Sequence, residues 1–149
     1  VERGNMSPGQ RIKAVLFIFL LLPISMAYSE NLQKIPLFIK GREIQVEVAR
    51  TPGERAVGLM GRKHLGKEEG MLFIFEEEGH HSFWMKDTYI PLSIAFIDRE
   101  SRIVKITDMK PLTLTSHPPP KPILYALEMN QGWFSKNGIK VGDIVRFSK

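Results

Sequence analysis

Between residues 35 and 147 the apolar residues come in short runs, each closed within a few positions by Gly, Pro or a charged cluster. That punctuation suits short elements joined by many turns, and 10 Pro and 12 Gly supply the turns. In Arg42–Ala49, Ile44, Val46 and Val48 alternate with Glu43, Gln45 and Glu47, the two-residue period of a half-buried strand. Gly41 separates this run from Ile35–Lys40, and the two together read as a hairpin.

Thr51-Pro52-Gly53-Glu54 follows. A Thr before Pro, with Glu three positions on, is the pattern of a capping box. It predicts a helix to about Met60, with Ala56, Leu59 and Met60 on its apolar side and Gly61 ending it. Met71–Phe75 reads as a buried strand, with Ser82–Lys86 expected to pair with it across a turn holding His80 and His81. Leu92–Asp98 and Arg102–Met109 form a second hairpin. Residues 110–122 hold five prolines and predict an extended crossing loop. Ile123–Met129 is a further strand, Trp133–Asn137 one helical turn, and Ile144–Phe147 the last strand. The fold expected is mainly β: an antiparallel sandwich or jelly-roll-like single domain of about eight strands, with one or two short helices.

The first 27 residues have a different character. Arg11 and Lys13 precede the unbroken apolar run Ala14–Leu22, Pro23 breaks it, and Ser25-Met26-Ala27 offers small residues at an exit. This order is that of a secretory signal, and the run falls short of the roughly 20 residues of a membrane span. The expectation is a signal peptide over 1–27 and one β domain over 28–149, exported to the periplasm or secreted. A membrane would be met only through the signal segment, if that segment were kept. The chain has no cysteine, so no disulfide supports the fold and none can carry a lipid. Residues 1–27 contain Arg3, Arg11, Lys13 and Glu2, which leaves 18 basic and 15 acidic residues in the rest, a net of +3. The signs alternate along the chain rather than forming a basic block, and no nucleic-acid partner is expected.

Thr51–Arg62, Gly70–Phe75, Phe83–Thr88, Ile90-Pro91-Leu92, Tyr125–Glu128 and Ile139–Asp143 occur in that order over about residues 40–147. Together they resemble the domain of unknown function 192 family. The resemblance implies a compact β-sandwich-like fold in exported proteins and no established activity. It also exposes two departures. The family's Trp-Met-Lys run usually continues with Asn, where this chain has Asp87, and its Pro-Leu usually precedes Asp, where this chain has Ser93. An activity carried by that second carboxylate would be in doubt here.

Five residues stand out as ligand-binding candidates: Arg55, Trp84, Lys86, Asp87 and Glu128. On a strand Trp84 and Lys86 share one face and Met85 takes the other, so an aromatic wall beside an ammonium could meet a small polar ligand. The plainer reading is that Trp84 packs in the core and Lys86 reaches water. Glu128 sits in an otherwise apolar strand, where a carboxylate without a partner is costly. Arg55 is the expected partner, either as a structural ion pair or as one wall of a pocket.

Met60, Met71, Met85, Met109 and Met129 raise copper binding as an alternative, since thioethers suit Cu(I). They lack compact spacing, and no metal ligand is assigned. His80-His81 reads as an exposed turn. No catalytic residue is assigned and no cofactor is expected: the chain has no cysteine nucleophile, Gly-x-Ser-x-Gly elbow, His-Glu-x-x-His or phosphate loop. Glu54 and Asp143 are explained by the capping box and a turn. A carboxylate-dependent hydrolase remains the second alternative. The reading is a module that binds an unknown small polar ligand or protein.

Overall fold

The computed structural model describes residues 32–148, so the expected signal segment at 1–27 lies outside the described residues. Seven strands and two short helices follow in the order β1 (Lys34–Ile39), β2 (Arg42–Ala49), α1 (Pro52–Val57), β3 (Glu69–Gly79), β4 (Leu92–Ile97), β5 (Ile103–Met109), β6 (Ile123–Asn130), α2 (Trp133–Lys136) and β7 (Val145–Phe147). They form one mixed sheet with the spatial order β5-β4-β6-β3-β2-β1-β7.

The two edges of that sheet meet. Arg102 and Ile144, just before β5 and β7, form an antiparallel bridge. Val145 N donates to Ser101 O at 2.9 Å, and Ile103 N donates to Asp143 O at 2.9 Å. The sheet therefore curls into a barrel-like closure, which removes part of the exposed edge an open sheet would leave. The mainly β single domain expected from the sequence is what forms. Its sheet is mixed because β2 and β3 run parallel, Gln45 opposite Glu69 to Ala49 opposite Phe73. A parallel pair needs a long crossover, and residues 50–68, which carry α1, provide it.

Because the sheet curls, its central strands are buried on both faces; all six residues of β4 are buried. One apolar cluster draws on all seven strands, with Leu37, Val46, Leu72, Ile97, Ile103, Leu127 and Val145 among its members, and so fills the inside. A second lies on the outer face of β3, β4 and β6. There Met71, Phe73, Ile94, Phe96 and Ala126 are covered by Leu59, Leu65, Met85 and Ile90 from the connecting segments. Of the five thioethers that suggested copper, Met71, Met85 and Met109 belong to the outer cluster, Met129 to the inner, and Met60 to neither.

Local signals translated directly. The β1–β2 hairpin turns through Lys40 and Gly41, both at positive φ (49° and 77°), the geometry of a two-residue type I′ turn. The capping box forms: Glu54 N donates to Thr51 Oγ1 at 3.2 Å, while the Glu54 carboxylate accepts from Thr51 N at 2.9 Å and Arg50 N at 2.7 Å. Those backbone donors, Thr51 first, hold the Glu54 carboxyl below its ordinary range. Thr51→Ala is expected to lower stability by about 1 kcal/mol, the usual loss of a helix N-cap. Thermal melts that superimpose on those of the native protein would show that the cap is dispensable.

Two expectations are corrected. Helix α1 stops at Val57 rather than Met60, because Gly58 takes a φ of 49° and breaks the helix. The helix buries none of its residues, Ala56 included, and Leu59 enters the core from beyond its end. Ser82–Lys86 does not pair with β3. Both edges of β3 are taken, by β2 and β6, so the segment pairs instead with the proline-rich stretch through a bridge between Phe83 and His117.

Candidate functional site

The pairing of residues 83–88 with the proline-rich stretch carries several of the exposed large apolar side chains. Phe83 N donates to His117 O at 3.1 Å, His117 N to Phe83 O at 2.8 Å, Met85 N to Thr113 O at 3.1 Å, and Leu112 N to Thr88 O at 3.1 Å. Residues 83–88 and 112–117 thus form a short ribbon laid over the outer core. The alternation read from the sequence holds. Met85 is fully buried and anchors the ribbon, while Trp84, 49% exposed, points outward. The Lys86 ammonium lies over the Trp84 ring, 5.5 Å from its centre, a cation–π contact on the solvent side.

Leu112, Leu114 (68% exposed) and Tyr89 extend the same ribbon outward. The prolines of residues 110–122 predict only a connector, so the exposure of Leu112 and Leu114 is a finding of the structure. The signal was there: Leu112-Thr113-Leu114-Thr115 alternates apolar with polar, the period of an extended segment with one apolar side.

Two backbone positions in the ribbon are unusual. Asp87 has a φ of 50° and Leu112 a φ of 60°. Asn and Asp enter this left-handed region more easily than other side chains, which accounts for Asp87 standing where the resemblance leads one to expect Asn. Leu112 has no such ease, so the surrounding hydrogen bonds must hold it there. The Asp87 carbonyl accepts from Gly61 N at 2.8 Å and ties the ribbon to the segment after α1. At His117 the imidazole Nε2 is buried without a hydrogen-bond partner. Burial, and then the Lys105 ammonium, hold this imidazole below its ordinary pKa.

The other two candidates lie elsewhere, and the expected pair between them does not form. Arg55 donates from Nη1 to Ile74 O at 3.1 Å and to Arg50 O, and its guanidinium lies 5.0 Å from the centre of the Phe75 ring. Phe75 in turn stacks on His81 at 3.7 Å. Glu128 sits three positions away along the β3–β6 ladder: Met71 opposes Glu128, and Ile74 opposes Tyr125. At about 3.3 Å per residue that is roughly 10 Å, too far for a bridge.

Glu128 is 5% exposed, between Met71 on β3 and Ile94 on β4, with no ion pair or hydrogen bond to its carboxyl among the described residues. Burial alone pushes its pKa up to about 8, so it is a neutral acid in the fold at pH 7. Asn130, two positions on, shares its face and donates to Leu65 O at 3.1 Å and Gly66 O at 2.9 Å, strapping the covering segment down.

Ser93, the other departure from the resemblance, is also explained. Its hydroxyl donates to Asp108 Oδ1 at 2.5 Å and accepts from Gly132 N at 2.9 Å. Position 93 thus lies beside a carboxylate, that of Asp108 on the neighbouring strand β5. Its second oxygen accepts from Gln131 Nε2 at 3.3 Å, so the group is engaged in fastening the β6–α2 turn.

The model of the DUF192 family, described as "Uncharacterized ACR", matches residues 35–147. Among solved structures, one protein of unknown function from Novosphingobium aromaticivorans DSM 12444 is 38% identical. The match covers 80% of this chain and 89% of that one, with a TM-score of 0.76. Another, from Sinorhizobium meliloti 1021 and described as a candidate transcription regulator, is 32% identical over 78% of this chain and 95% of that one, with a TM-score of 0.75. No curated protein matches the chain.

Proposed function

The chain belongs to the DUF192 family, and we propose that it works as an exported binding module whose docking face is the ribbon of residues 83–89 and 112–117. The observation that carries this reading is the outward set Trp84, Tyr89, Leu112 and Leu114 on one hydrogen-bonded ribbon. Large apolar side chains grouped in water are uncommon on a monomer surface and mark interaction sites. Trp and Tyr are also the residues that most often dominate binding energy at interfaces. Because Met85 anchors the ribbon and four backbone hydrogen bonds brace it, little conformational freedom is lost on docking.

The occupant that suits this surface is a protein segment. Two exposed leucines beside two aromatics make a broad apolar contact, with Lys86 at hand for an acidic residue on the partner. Export is supported by the basic, apolar, small-residue order of residues 11–27. A phosphate-backbone partner finds less support. Lys34, Lys40, Arg62, Arg99 and Lys121 are each paired with a carboxylate rather than arrayed along one stripe.

Photo-crosslinking from positions 84 and 114 in the native host tests the reading, with position 38 on β1 as an exposed control. One discrete adduct from 84 and 114, competed away by added native protein and absent from 38, is expected in the exported fraction. The processed chain recovered there should lack residues 1–27. Identical adducts from all three positions, or the intact chain confined to the cytoplasm, would overturn it. Trp84→Ala should remove the adduct formed at 114 and leave the melting curve within about 0.5 kcal/mol, as exposed substitutions do.

A further inference from the structure

A second site lies on strands that take no part in the ribbon. The β1–β2 turn and the segment entering β7 line a half-open cleft of about 500 Å³, formed by Phe38, Ile39, Lys40, Gly41, Asp143, Ile144 and Arg146. Such a volume is in the range of small-molecule sites. Phe38 and Arg146 are directly opposed across the β1–β7 ladder, so their side chains leave the same face of the sheet. Phe38 is 45% exposed, an aromatic ring offered to solvent at the mouth of a cleft.

The charges there are unequally engaged. Lys40 Nζ donates to Gly138 O at 2.8 Å and lies 3.5 Å from Asp143 Oδ2. The same Asp143 oxygen accepts from Lys140 N at 2.8 Å, a backbone bond that, with the lysines nearby, keeps the carboxylate charged. Lys40 and Asp143 therefore neutralise one another and are held in place. The Arg146 guanidinium has no hydrogen-bond or ion-pair partner among the described residues. The cleft thus carries one uncommitted positive charge, in the planar fork that best matches a carboxylate, next to an apolar floor. Outside it, Glu43 on β2 opposes Phe38 and faces solvent.

We propose that this cleft binds a small organic monoanion, a carboxylate on an aromatic or aliphatic body, with Arg146 taking the carboxylate and Phe38 the body. Lys40, fixed by Gly138 and Asp143, closes one side and sets the limit of one net charge. The site is independent of the ribbon and could be occupied together with a docked partner.

Titration of the isotopically labelled protein with 3-phenylpropionate, followed by amide NMR to about 10 mM, is the test; weak sites of this kind are read in the millimolar range. Saturable shifts confined to residues 38–41 and 143–146 are expected. The uncharged 3-phenylpropionamide should bind at least about tenfold more weakly, as should Arg146→Gln. The spectrum of Arg146→Gln in the absence of probe reports its folding directly. Phe38→Ser should weaken acid and amide alike. An absence of saturable shifts, equal binding of acid and amide, undiminished binding to Arg146→Gln, or shifts centred on residues 83–89 would each overturn the proposal.

Discussion

Glu128→Gln is expected to match the native protein in stability near pH 4 and to exceed it by about 3–5 kcal/mol near pH 8. The folded pKa of Glu128 is raised from 4.5 to about 8 by burial between Met71 and Ile94, with no counter-charge. Below pH 4.5 both the folded and the unfolded chain hold the proton, and the fold keeps its full stability. Above that, the unfolded chain releases the proton while the folded chain retains it, and stability falls by about 1.4 kcal/mol per pH unit until pH reaches about 8. Glutamine has the same shape, cannot ionise, and escapes that loss.

Asp98, Glu54, Glu69 and Asp143 have lowered pKa values, so their contribution runs the other way and is lost on acidification. They are common to both proteins, and the difference between native and Glu128→Gln isolates the one group. Denaturant titrations from pH 4 to pH 9 give the result. A glutamine variant that is less stable than the native protein at pH 8 would show that Glu128 is ionised and paired after all. That is the outcome an Arg55–Glu128 bridge would have produced.

Much of the fold was legible because its signals are local. The period of two in Arg42–Ala49, the hairpin about Gly41 and the capping box at Thr51 each depend on residues within a few positions. The β4–β5 hairpin is legible for the same reason. What escaped was long-range. Nothing near Ser82–Lys86 says that both edges of β3 are already occupied, or that Arg102 meets Ile144 to close the curl.

The candidate site divides along the same line. Strand alternation was enough to put Trp84 and Lys86 on one side of Met85, and the structure shows them in contact. The apolar surroundings of Glu128 in the sequence mark it as anomalous, yet they cannot name its neighbours across the sheet. Arg55 was a reasonable partner by charge, and it is occupied by the carbonyls of Arg50 and Ile74. Arg146 and Phe38, separated by most of the chain, have no local signature and meet only because β7 pairs with β1.

Gly70→Ala is expected to cost about 2–4 kcal/mol, although it adds a single methyl group. Gly70 lies on β3 opposite Met129, in the pairing that joins the two central strands. A Cβ built there would overlap Met129 Sδ and stand 2.5 Å from the Glu128 carbonyl oxygen. A side chain can swing away, whereas that carbonyl belongs to a strand paired on its other edge with β4, so it moves only if the ladder moves. The two obstacles are separable. If the Met129 thioether were the whole obstacle, Gly70→Ala would be harmless in a Met129→Ala background. Because the carbonyl is also in the way, the penalty should shrink in that background but persist at more than about 1 kcal/mol. Denaturant melts of the two single variants and the double variant give the comparison. A Gly70→Ala protein within about 0.5 kcal/mol of the native one would mean that β3 and β6 can part at this point without loss. The close approach would then not be what requires glycine at position 70.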